Sequence, residues 1–169
     1  AAASAQQAFP TRPIRAVVPF AAGSATDQIG RAIAEKMSQT LGQQIVSDNR
    51  PGANGMLGAD AVAKAAPDGY TILIGNSGTH AYSQALSKKP IYDAVAEFQP
   101  IGLMTESPRI LVARKDLPAN DLKGLTAYLK ANEGKTQFAS AGVGSGTHLP
   151  CVLLTSAMKT NVTHVPYRG

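Results

Sequence analysis

The sequence predicts an α/β fold with mainly parallel sheets flanked by helices, and three stretches carry that prediction. Residues 14–41 read as a strand, a Gly-containing turn and an amphipathic helix. Strand and helix patterns then alternate as far as Ile74, at a spacing that implies parallel pairing with right-handed crossovers. A second copy of the opening pattern occupies residues 136–166.

Ile14, Val17 and Val18 form the short apolar run of a buried strand. Residues 21–24 are too small and flexible to be core. Ile29, Ile33, Met37 and Leu41 then recur every four residues, with Arg31, Glu35 and Lys36 on other faces, so the period has become helical. Ser24-x-x-Asp27 resembles a capping box, with Thr26 as a rival cap. Residues 43–48 read as a second strand. Residues 49–55 hold Pro, Gly and Asn at turn density. Residues 56–66 read as a second helix, although Gly58 costs it roughly 1 kcal/mol relative to Ala. Residues 70–74 have the β propensity of a third strand. They run into a small polar loop at 75–80 and a short helix at 81–86. In parallel sheets ligands bind beyond the carboxyl ends of the strands, where loops 20–27 and 75–80 both fall.

Residues 88–99 read as a connection. Residues 101–105 and 109–113 read as strands split by Ser107-Pro108, and residues 122–131 as a helix with Asp121 near its cap. The second copy then gives a strand at 136–139, a Gly-rich turn at 140–148, a helix at 149–158 and a strand at 162–166. Pro150 is acceptable only in the first turn of that helix.

Composition narrows the function. A hydrophobic fraction of 44% with 16% charged residues is globular. The net charge of +5 is scattered and aromatics make up 5%, which argues against nucleic acid and fits a mild field for small anions. Cys151 is alone, so a zinc cluster and a redox pair are excluded, and it reads as a small core residue. No stretch reaches the ~18 apolar residues of a membrane span. Ala3-Ser4-Ala5 fits the shape of a signal-peptide cleavage site.

The three strand-to-loop transitions share one chemistry. Each is small, Gly-bearing and hydroxyl-rich, so each binds through backbone N–H groups and Ser or Thr hydroxyls. A helix start also carries unpaired N–H groups and a partial positive charge. No Lys follows the glycines, which excludes a P-loop, and 142–146 lacks the full dinucleotide spacing. Asp27 either caps its own helix or accepts a hydrogen bond from a ligand. Phe20 and Tyr82 are either core or pocket wall. Gly75-Asn76-Ser77-Gly78-Thr79 begins like a nucleophile elbow but ends in Thr. A small-molecule serine hydrolase using Ser77 or Ser145, with His80, His148 or His164 as base, is the alternative from another class. No metal-site spacing is present, and no cofactor is expected.

Four ordered motifs together resemble one family. They are Pro19-Phe20-Ala21-Ala22-Gly23-x-x-Thr26-Asp27, residues 49–55 (NRPGANG), Pro67-Asp68-Gly69-Tyr70, and Ser140-x-Gly142-x-Gly144-Ser145-x-Thr147-His148 with residues 164–167 (HVPY). They are similar to the Bug/TctC proteins, the extracytoplasmic solute-binding components of tripartite tricarboxylate transporters. The resemblance implies a periplasmic-binding-protein type II-like fold of two lobes, divided here as residues 1–104 and 105–169. It implies a periplasmic protein whose signal peptide has been removed, and no enzyme. Its partners would be a small carboxylated ligand (a di- or tricarboxylate, an aromatic acid or an amino acid) and a membrane permease. Carried over, the ligand-binding residues are Phe20, Ala22, Gly23, Ser24 and Asp27 in the first loop. Asn76, Ser77 and Thr79 line the side, and Ser140, Ala141, Gly142, Ser145, Thr147 and His148 face them. Ser24 stands where the family has a second Gly, and Pro150-Cys151 replaces a small residue and Gly. The resemblance also implies that the chain is truncated: the first lobe lacks its returning segment and the second is only begun. Exposed apolar faces and unpaired sheet edges near Ala113 and Val165 are expected.

Overall fold

The computed structural model describes residues 9–167. The cleavage-like residues 3–5 and the terminal Arg168 and Gly169 lie outside the described residues. The chain divides into two compact units between Gln99 and Pro100.

The first unit is a three-stranded parallel sheet in the order β2-β1-β3, with β1 at Ile14–Val18, β2 at Ile45–Asn49 and β3 at Thr71–Leu73. Ile14 pairs with Ile45 and Ala16 with Ile72. The central position of β1 explains its sequence: both edges are laddered, and Ala16, Val17 and Val18 are fully buried. Ile14, Ala16 and Val18 project to one face, as the two-residue period of a strand requires. They meet Ala34, Ile45 and Ile74 there, with Met37, Leu41 and Tyr70 packed at the margin.

Helix α1 spans Ala25–Leu41. Its deepest face is Asp27, Gly30 and Ala34, while Ile29 and Ile33 are half-buried beside it. The expected stripe is therefore offset: a helix lying close on a sheet takes small residues at the contact line and large ones at the rim. Ser38 ties its far end to the sheet, donating to the Ala34 carbonyl at 2.6 Å and accepting from the Ile45 N–H at 2.9 Å.

Helix α2 spans Met56–Ala63, shorter than the sequence suggested, and is entered through a 3-10 turn at Ala53–Gly55. After β3 comes a π-helical turn, Gly78–Tyr82, that runs into the four-residue helix α3, Ser83–Leu86. Tyr92 is buried and its hydroxyl meets the Thr79 carbonyl and Ser83 Oγ. Phe98 packs edge-on against both Tyr92 and His80, so residues 92–98 clamp the π-turn from behind.

The second unit has helix α4 at Leu122–Ala131, strand β4 at Gln137–Ser140, helix α5 at His148–Ala157 and strand β5 at Thr163–Pro166. Asp121 caps α4 by accepting from the Gly124 N–H at 2.6 Å. Strands β4 and β5 pair in parallel as a two-stranded sheet, so among the described residues each has an unpaired edge, as expected near Val165. Cys151 is half-buried on α5, and burial pushes its thiol up.

One expectation is corrected here. Residues 101–105 and 109–113 form no strands, and residues 100–114 carry no regular secondary structure. Their apolar side chains stand in the open, with Ile101, Leu103, Ile110 and Val112 each 78–82% exposed. Alternating apolar sequence makes a strand only where a neighbouring strand completes its hydrogen bonds, and neither sheet supplies one.

Candidate functional site

In the first unit, loops 20–27, 49–55 and 75–80 gather beyond the carboxyl ends of the strands. Ser24 is the N-cap of α1, its Oγ accepting from the Asp27 N–H at 3.3 Å. Thr26 does not cap. The reciprocal arm of the box reaches one residue further back than expected, because Asp27 Oδ2 accepts from the Gly23 N–H at 2.8 Å. The same carboxylate takes Arg31 Nε at 3.0 Å on both oxygens and Asn49 Nδ2 at 2.9 Å. Asn49 also donates to the Phe20 carbonyl at 3.1 Å and accepts from Arg31. The Asp27 side chain is 3% exposed, and these bonds, Arg31 foremost, hold its pKa down at about 2 against burial. Asp27 is thus engaged by its own chain on every side. The N–H groups of Ala25 and Thr26, in the first turn, donate to nothing within the described residues.

Loop 75–80 joins this group through Asn76, whose Nδ2 lies 3.4 Å from Thr26 Oγ1. Asn76 Oδ1 accepts from the Gly78 N–H at 2.8 Å, a local turn that leaves Ser77 exposed at its tip. Thr79 is fully buried, and its hydroxyl bonds the Asn76 carbonyl and His80 Nδ1. It shapes the loop from beneath. Phe20 is half-buried beside Gly55, and Ala22 and Gly23 are exposed.

In the second unit, loop 140–148 closes on itself. Ser140 Oγ lies 2.6 Å from His164 Nε2 and also bonds both the N–H and the carbonyl of Gly142. Thr147 Oγ1 accepts from the Ala141 N–H at 2.9 Å and lies 3.1 Å from Ser145 Oγ. Gly144, at φ +77°, holds a left-handed turn that an L side chain would strain. Its N–H donates to His148 Nδ1 at 3.2 Å, which fixes His148 as a neutral imidazole protonated at Nε2. Phe138 stacks on both His148 and His164, whose own ring centroids lie 4.1 Å apart at a tilt of 39°. Burial and the neighbouring His164 both depress the His148 pKa. The N–H groups of Val143, Gly146 and Thr147 donate to nothing within the described residues.

That arrangement has a pH consequence. A base depressed below its unfolded value near 6.5 contributes stability that is fully present above that value and lost as pH falls through the lower folded value. His80, depressed by burial, acts in the same direction in the first unit. Urea midpoints should therefore fall between pH 7.5 and pH 5, and His148→Gln should remove part of the fall. A His148→Gln variant with an unchanged pH slope would contradict it.

Neither serine proposed as a nucleophile is paired with an imidazole. Ser145 Oγ meets Thr147 and the His148 N–H, and the serine that does meet a histidine is Ser140, buried and, among the described residues, without a carboxylate bonded to His164. No group of three or more His, Cys, Asp or Glu among the described residues could hold a metal ion. No helix among them is long and apolar enough to cross a membrane. Two residues outside the expected ligand-binding set bear on these loops. Asn49 bridges loop 20–27 to β2, and Arg109 lays its guanidinium against Gly146. Only the Asp27–Arg31 spacing of four residues gave a sequence signal for such partners.

Residues 29–169 match the family model described as tripartite tricarboxylate transporter family receptor, TctC. The chain is 44% identical to a UPF0065 protein in the tcbD-tcbE intergenic region of Pseudomonas sp. strain P51, over 96% of this chain and 48% of that one. It resembles the solved structure of MatC from Rhodopseudomonas palustris with bound malate, at TM-score 0.88 and 42% identity, covering 95% of this chain and 55% of that one. It also resembles a second R. palustris protein, solved with adipate, at TM-score 0.83 and 34% identity over 95% of this chain and 54% of that one. The chain spans about half the length of the curated relatives it matches.

Proposed function

The chain belongs to the tripartite tricarboxylate transporter receptor family, and on that premise we propose that the protein is a periplasmic, non-catalytic solute-binding component that captures a small organic carboxylate for a membrane permease. The observation that carries this reading is how loop 20–27 disposes of its charge. Its one acid, Asp27, is consumed by Gly23, Arg31 and Asn49, while the amides of Ala25 and Thr26 are left without partners. A helix start of that kind favours an anion.

Loop 140–148 is a second anchor of the same chemistry, with open amides at Gly146 and Thr147 and hydroxyls at Ser145 and Thr147. Phe20 supplies an apolar wall, and Ala22, Gly23, Ser24, Asn76 and Ser77 line the first anchor. Ser140, Ala141, Gly142 and His148 line the second. Asp27 and Thr79 act as positioning residues beneath the first. The relatives solved with malate and with adipate make dicarboxylates the first acids to test.

The test is calorimetric titration of the full-length protein with malate, adipate, citrate, benzoate and glutamate. Binding of at least one acid at micromolar affinity is expected, with no turnover of the bound acid. Failure of all five to bind would remove the reading.

A further inference from the structure

Among the described residues, Arg12, Arg15, Arg31, Arg50 and Arg114 each form an ion pair with a carboxylate within 3.2 Å. Arg109 alone of the described arginines has neither an ion pair nor a hydrogen bond to another described residue. The described side-chain carboxylates of its own unit do not serve it. Asp116 pairs with Arg114, Asp121 caps α4, Glu133 accepts from the Asn161 N–H, and Glu106 lies on the same irregular segment without meeting it.

Its placement is nonetheless specific. A methyl group at Gly146 would lie 2.6 Å from Arg109 Nη2, 3.3 Å from Cζ and 3.6 Å from Nη1, so the guanidinium rests on the loop at that residue. Gly146 sits between Ser145 and Thr147, whose hydroxyls are 3.1 Å apart, and its own N–H is unpartnered. Along residues 101–112 the apolar side chains Ile101, Leu103, Ile110 and Val112 stand in water. The guanidinium, a charged group that water would solvate, folds back onto the polar loop instead.

We propose that Arg109 is the charge-reading residue of the 140–148 anchor, pairing through its planar fork with an ionised carboxylate of the bound acid. This rests on the carboxylate-binding reading above and adds a charge requirement to it. Backbone amides and hydroxyls also accept a neutral carbonyl, whereas a guanidinium gains most from a full negative charge matched to its two parallel donors. No carboxylate among the described residues pairs with that fork, which leaves it available.

The experiment uses the full-length protein with adipate and malate as probes. Arg109→Gln should weaken binding of whichever acid the wild type takes by about 10- to 100-fold, the range of a charge-assisted bond, and Arg109→Lys should fall between. Lys115→Gln makes the same charge change on an exposed neighbour and should stay within about twofold. The Arg109 Nε–H resonance of the wild type should shift when the acid is saturating, a readout that a purely structural role would not move and that does not depend on the variant folding. Wild-type binding with Arg109→Gln within about twofold, or an unmoved Nε–H resonance, overturns the role of Arg109 and leaves the carboxylate reading standing. If the wild type binds neither these probes nor the rest of the acid panel, both fall together.

Discussion

Replacing Asp27 by alanine is expected to cost about 3 kcal/mol of stability, read as a lower urea midpoint for the first unit, and to abolish carboxylate binding. Removing one partner of a buried, hydrogen-bonded ion pair costs roughly 3–5 kcal/mol. The lower end applies because Arg31 is 50% exposed and can return to water. What cannot return is the geometry: the Gly23 N–H loses its acceptor, and Asn49 loses the contact that holds it between Asp27 and the Phe20 carbonyl. The pH dependence follows from the same bonds. The folded pKa, about 2, lies below the unfolded value of 3.8, so this stabilisation is present above pH 4 and lost as pH falls through 2. Between pH 7 and pH 2 the wild type should lose about 2 kcal/mol more than Asp27→Asn. Equal losses in the two proteins would mean that the carboxylate is not ionised in this network.

Gly58→Ala is expected to destabilise by about 2 kcal/mol, although alanine is the better helix former by roughly 1 kcal/mol. An added methyl would lie 2.7 Å from the Arg50 carbonyl oxygen and 2.8 and 2.9 Å from Cβ and Cα of Pro19. Two of these three are backbone atoms at the ends of β2 and β1, which cannot swing aside as a side-chain tip can. Overpacking of this kind costs typically 1–3 kcal/mol and more against a rigid wall, so the clash outweighs the propensity. Gly102→Ala is the matched control, since its methyl meets nothing within 4 Å. It should change stability by no more than about 0.5 kcal/mol. A Gly58→Ala protein more stable than wild type would mean that α2 has room to lift from Pro19.

The contrast between these sites shows what the chain reveals before it is folded. Strand β1 and helix α1 were legible because period and capping are local properties, and Ser24 is the cap that its position announced. The βα order of both units was legible for the same reason. The fate of Asp27 was not, because a capping acid and a ligand-binding acid look alike until Asn49 and Arg31 are brought to it from elsewhere. Gly58 read as a helix defect because its benefit lies in β1 and β2. Residues 109–113 read as a strand because alternation is local, whereas the ladder that completes a strand is not. Arg109 carried no signal, since nothing in sequence distinguishes an arginine resting on a glycine turn from one in solvent.

The order β2-β1-β3 sets the first loop on the strand that is laddered along both sides, and this divides the labour of the region. The residues that fix its shape, Asp27 and Thr79, are sealed inside, whereas Ala22 and Ser77 at its mouth are exposed. In the proposed carboxylate site, preference for one guest over another would be re-engineered through the outer residues while the frame beneath stays the same.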